Sequence, residues 1–237
     1  MRAKVPGRQP LQTPRAAGLA GVAFALLLAA AIVLVRLGIP EGADGVTPQG
    51  FTDSTRREAV RVALELVPFA GIFFLWFVGA VRAHVGQVED RFLATVFLGS
   101  GLVFTATLFG GAAAAAAVMA LAHPSGAPPS LPAWDFGRHF AYTLMIEYAM
   151  RMAGVFVCSL SVMGYRLGVL PRPLPAVGFL TAGVLLFVSS NVPWSELVFP
   201  AWALAVSVHI LVVGGRNRSR GEPAAFSAPS APPAPPV

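Results

Sequence analysis

Residues 17 to 36 read AGLAGVAFALLLAAAIVLVR, an apolar run in which the only charge, Arg36, is the last residue. At about 1.5 Å of rise per helical residue the run spans roughly 30 Å, the thickness of a bilayer's hydrocarbon core. Its apolar residues are continuous rather than alternating, so a helix fits and a strand of a membrane barrel does not. The whole chain of 237 residues follows suit: 56% of it is hydrophobic and 12% charged, with a mean hydropathy of +0.70. A soluble domain carries about 25% charged residues, so this chain lacks the polar surface to coat a water-facing globule.

Runs of similar length occur at approximately 17 to 36, 61 to 82, 92 to 120, 141 to 164, 174 to 190 and 197 to 214. The expected fold class is therefore all-α, a polytopic membrane protein with six transmembrane helices in one bundle. Residues 1–16 read as a basic cytoplasmic segment, 17–214 as the six-helix transmembrane domain, and 215–237 as a disordered Pro/Ala-rich cytoplasmic tail. The third run is too long for a perpendicular crossing, and its Ala-rich end, GGAAAAAAVMALA, predicts tilt or extension past the lipid. Its small residues at four-residue spacing, such as Gly101 with Thr105 and Ala106 with Gly110, predict a central place in the bundle. Pro171, Pro173 and Pro175 mark the start of the fifth run, where a missing N–H is harmless.

The basic stretch before the first run resembles a signal peptide, but the apolar core is too long and no small-x-small cleavage site follows, so the run reads as a signal anchor. With both termini in the cytoplasm, eleven cations fall inside (Arg2, Lys4, Arg8, Arg15, Arg82, Arg91, Arg166, Arg172, Arg216, Arg218, Arg220) against five outside (Arg36, Arg56, Arg57, Arg61, Arg138). This asymmetry accounts for the net charge of +6 through anionic lipid, with no nucleic-acid partner. One Lys against sixteen Arg, with abundant Ala, Gly and Pro, points to a high-GC bacterial genome and so to a bacterial inner membrane. Trp134 and Trp194 fall where an outer aromatic belt belongs.

The costly residues lie within the runs. In the fourth, HFAYTLMIEYAMRMAGVFV (139 to 157), Glu147 precedes Arg151 by four positions, the favourable order for a pair on one helical face. By helix rise, Arg151 lies near the midplane and Glu147 about 8 Å to its outer side, with Glu65 of the second run at about 10 Å. A charge at a span's centre costs about 2.5–3.5 kcal/mol on insertion scales, so such side chains face protein or water. Two readings follow: a structural Glu147–Arg151 pair facing the bundle interior, or an intramembrane charge cluster of Glu65, Glu147 and Arg151 around a small wet cavity that handles a proton or cation. Pro68 beside Glu65 predicts a kink, though prolines are also common in ordinary spans. His209 in the sixth run is a possible accessory, more simply a neutral histidine bonded to a neighbouring helix.

Catalytic signatures are missing. There is no HExxH, CxxC, GxSxG or phosphate-binding glycine loop, and His84 with Glu89 and Asp90 lacks a second histidine. The sequence therefore names no catalytic residue, no metal site and no cofactor. The single cysteine, Cys158, sits within a run and excludes an intrachain disulfide.

The stretch FLWFVGAVRAHVGQVEDRFLATVFLGSGLVF, residues 74 to 104, resembles a run in six-span membrane proteins of high-GC bacteria to which no activity attaches. The resemblance covers about an eighth of the chain and implies topology only. The chain thus reads as non-enzymatic: a membrane scaffold or assembly factor, alternatively a small transporter or channel-like protein using the Glu/Arg cluster. Its partners would be the lipid bilayer and either a second copy or another membrane protein.

Overall fold

The computed structural model describes residues 13–38, 54–85, 91–121, 131–168, 170–189 and 192–220. The basic N-terminal residues, the turn with Glu89 and Asp90, and most of the Pro/Ala-rich tail lie outside them. All regular structure among the described residues is helical: α1 (Thr13–Gly38), α2 (Ser54–Val85), α3 (Arg91–Leu121), α4 (Leu131–Tyr142), a π-helical turn (Thr143–Tyr148), α5 (Ala149–Arg166), α6 (Pro173–Phe187), a 3-10 turn (Ser195–Leu197) and α7 (Val198–Arg220). α4, the π-turn and α5 form one continuous rod, so the described residues build six rods.

Five rods are long and apolar enough to cross a membrane, the architecture of a multi-pass membrane protein. The sixth falls short. α6 has 15 residues, about 22 Å of helix against a hydrocarbon core of roughly 30 Å. It starts on its prolines, as the sequence requires, but ends at Phe187. α2 continues through Pro68, whose ring lies on the exposed face. α7 runs on past Gly215 to Arg220, because no proline intervenes before Pro223.

The rods form a closed ring in chain order: α1 on α2, α2 on α3, α3 on the α4–α5 rod, α5 on α6, α6 on α7, and α7 back on α1. Neighbours run antiparallel. Gly18 of α1 meets Leu211 and Gly38 meets Val60; Gly111 meets Met145; Gly154 meets Leu186, and Gly178 meets Ser161 and Trp202. At Gly21, Gly71 and Gly178 an added Cβ would collide with the facing helix, so these glycines set how closely the backbones approach. α3, expected at the centre, is the least buried of the five long rods, with 33% of its most apolar stretch buried. Its small residues serve two flanks: Thr105 meets Gly71 of α2, and Gly111 meets Met145 of the π-turn.

Phenylalanines fill the middle of the ring. Phe24 (α1), Phe74 (α2), Phe97 and Phe104 (α3), Phe156 (α5) and Phe199 (α7) are all buried. Phe74 is the hub, its centroid 4.7 Å from Phe24, 4.9 Å from Phe104, 5.0 Å from Phe156 and 6.2 Å from Phe199, mostly in tilted or edge-on contacts. Hydroxyls add little between rods. Thr105, Thr107, Ser159, Ser161 and Ser207 each donate back to a carbonyl three or four residues earlier in their own helix, and Ser189, just past α6, donates to the Leu185 carbonyl. In lipid, where helices gain nothing by hiding apolar surface from tails, such dispersion contacts hold the bundle.

Phe74→Ala should therefore lower stability in detergent by about 3 kcal/mol through the cavity it leaves, whereas Leu180→Ala, on the exposed face of α6, should stay within about 0.5 kcal/mol. Thermal unfolding of the two variants beside the wild type measures this difference.

Candidate functional site

Glu147 lies in the π-turn and Arg151 in the first turn of α5. The π-turn has a geometric cause. The inward-facing Ala141, Met145, Ala149 and Ala153 follow one another at strict steps of four. A 3.6-residue helix drifts by about 40° over each such step, and a wider turn absorbs the drift. With the inner face held in phase, Glu147 and Arg151 share the outer one. Arg151 Nη1 donates to Glu147 Oε2 at 3.1 Å. The pair forms as its spacing predicts, but it does not face the interior: the two side chains are 41% and 44% exposed.

The register explains that exposure. Arg151 precedes Gly154 by one helical turn, and Gly154 packs on Leu186, near the end of α6. Gly154 also meets the Ala182 carbonyl, so Arg151 lies level with the last residues of α6 and Glu147 beyond its end at Phe187; among the described residues this leaves the flank partly open. The short helix and the outward charge pair are two sides of one notch.

Glu65 is not brought to this pair. Its side chain is 68% exposed, and Oε1 lies 3.6 Å from Arg61 Nε one turn earlier in α2. Ala63, Val67 and Ala70 occupy the inward face of α2, which leaves position 65 pointing out. α3 stands between α2 and the α4–α5 rod in the ring. His209 is distant as well. Phe156 meets Phe199 at mid-bundle; from there Glu147 lies toward one end and His209 toward the other, roughly 28 Å apart along the axis at 1.5 Å per residue. The expected three-residue cluster is thus two separate surface pairs, with a half-buried histidine near the opposite end.

A second charge pair lies where the sequence placed only topology determinants. Arg36, at the end of α1, donates from Nη2 to Glu196 Oε1 at 2.6 Å. The side chains are 9% and 2% exposed. The bond joins the first and last rods and closes the ring at one end. Glu196 is delivered by the turn between α6 and α7. Trp194 there takes a left-handed φ of 69°, a conformation that costs a non-glycine residue about 1–3 kcal/mol. The Ser195 hydroxyl bonds to the Val192 carbonyl at 2.7 Å, and the Leu197 N–H to the Trp194 carbonyl at 3.1 Å, which hold the turn. The Trp194 ring then lies 5.8 Å from the Arg36 guanidinium. Trp134, expected in the aromatic belt, is instead buried against Val60 and Val118, because an inward position of α4 carries it into the ring.

Beside Arg36 and Glu196 lies a cavity of about 50 Å³, walled by Leu28, Ile32, Leu108, Met145 and Met150 among others. It is apolar, room for no more than a few waters. Glu147, Arg151 and Glu65 take no part in its lining. The wet cavity pictured around those three residues is therefore replaced by a small apolar one on the other face of the π-turn. Among the described residues no three of His, Cys, Asp and Glu gather. Cys158 is half-buried and packs on the core. Compared with known protein families, curated proteins and solved structures, the chain matches none.

A buried ion pair is weak evidence of net stability, yet breaking one is costly. Arg36→Met or Glu196→Leu alone should each destabilise the protein by about 3–5 kcal/mol, since the survivor keeps a buried charge without its counterion. The double variant should recover most of that loss. Unfolding temperatures of the three in one detergent decide it; singles that match the wild type would remove the pair from the fold's essentials.

Proposed function

We propose that the protein is a non-enzymatic membrane scaffold or assembly factor that docks a membrane-embedded partner on the α4–α5 flank carrying Glu147 and Arg151. The carrying observation is a half-exposed ion pair on the outer face of the crossing rod Pro132–Arg166, about 8 Å (Arg151) and 14 Å (Glu147) from the level of Phe156 at 1.5 Å per residue. Hydrocarbon offers such a pair no donor or acceptor, so an ionised residue on a lipid-facing side is costly. A protein surface supplies the missing partners. The alternative, a proton or cation pathway through Glu65, Glu147 and Arg151, has less support because these residues occupy two separate outer faces and the cavity excludes them.

Antiparallel packing of α1 on α7 leaves both ends of the described chain at one end of the bundle. That supports six crossings, with α6 and the turn after it making the short one. The charge asymmetry supports cytoplasmic termini in a bacterial inner membrane.

A photocrosslinking amino acid at Tyr148, one turn before Arg151 and exposed, should give protein adducts in native membranes. The same group at Phe69, exposed on α2, should give lipid adducts. Lipid adducts alone at Tyr148, together with proton flux in proteoliposomes that falls on Arg151→Leu, would overturn docking in favour of transport.

A further inference from the structure

We propose that the occupant of this flank is a second copy of the chain, related by a two-fold axis along the bundle, with Arg151 of each protomer reaching the partner's Glu147. This rests on the docking reading and names its partner.

The pairing inside one protomer is incomplete. A guanidinium has five N–H donors and a carboxylate about four acceptor sites, and a single contact at 3.1 Å joins the two, with close to half of each side chain exposed. What remains on offer is one positive and one negative group a helical turn apart. An unrelated partner has to bring a matched base and acid at the same depth. A second copy in the same membrane orientation has them by construction, because a two-fold axis along the membrane normal preserves depth. The offset between the two positions is about 6 Å, within the reach of an arginine side chain, and exchange leaves no net charge in the lipid.

The surroundings fit such a contact. α6 ends at Phe187, which is 80% exposed, so the flank of α5 beyond it is open to a neighbouring helix. Tyr148 is exposed one turn before Arg151, and Val155, one turn after it, is only partly buried. A charged centre edged by aromatic and aliphatic side chains is the composition that carries binding energy at interfaces, where Tyr and Arg are enriched.

The test uses the full chain, co-expressed with two different tags and extracted in mild detergent. Wild-type copies should co-purify. Arg151→Glu in both copies, or Glu147→Arg in both, should cut co-purification by about tenfold, since like charges then face each other. Arg151→Glu in one copy with Glu147→Arg in the other should restore it. Association indifferent to all three combinations would overturn the proposal. A charge-conserving check is Tyr148→Cys with Cys158→Ser, which should form a disulfide-linked dimer in oxidised membranes; a chain that stays monomeric there overturns the proposal even if the charge variants misfold. The Tyr148 photocrosslink separates the two readings: an adduct of twice the chain mass supports the second copy, an adduct with a different protein overturns the second copy but leaves docking standing, and lipid adducts alone overturn both.

Discussion

An ionised side chain on a helix that crosses hydrocarbon has to find an opposite charge, and this fold meets that constraint in two ways. Arg36 and Glu196 come from opposite ends of the chain and bury each other at one end of the ring. Glu147 and Arg151 come from one helix, stay on its outside, and leave part of their hydrogen-bonding capacity unused. The first arrangement closes the monomer. The second leaves it with a surface that lipid serves poorly, and the proposed docking role rests on that difference.

The two pairs are linked through the π-turn. Its inner residues, Met145 and Ile146, wall the apolar cavity beside Arg36 and Glu196, while its outer face carries Glu147. A single wide turn lets the inner face stay on the core from Ala141 to Ala153 and aims the charges outward. The phenylalanine hub below the cavity supplies the rigid reference: five rods meet at Phe74 and its neighbours, so aromatic packing fixes the phase of those five.

Several features were legible from local pattern because they depend on chain length and spacing alone. The helical runs, the Glu147–Arg151 bond at i, i+4 and the proline start of α6 are of this kind. Glu65 was misplaced because depth along a helix can be read from position, whereas the face it points to depends on which neighbours pack there. Trp134 was misread for the same reason. Arg36 and Glu196 carried a usable signal: opposite charges at the end of the first run and the start of the last, which alternating helix direction brings to the same end.

Hydropathy over windows of about twenty residues determined by itself that this chain is a helical membrane protein, since covering the backbone's polar groups in lipid leaves few other solutions. Which rods are neighbours, that α6 stops short of a full crossing, and which charges are sheltered were decided only in the tertiary structure. Those outcomes depend on contacts between residues as far apart as 36 and 196, where a few ångströms of backbone approach at Gly21 or Gly178 and the rotation of one π-turn settle which way a side chain points. No local window of sequence carries that information.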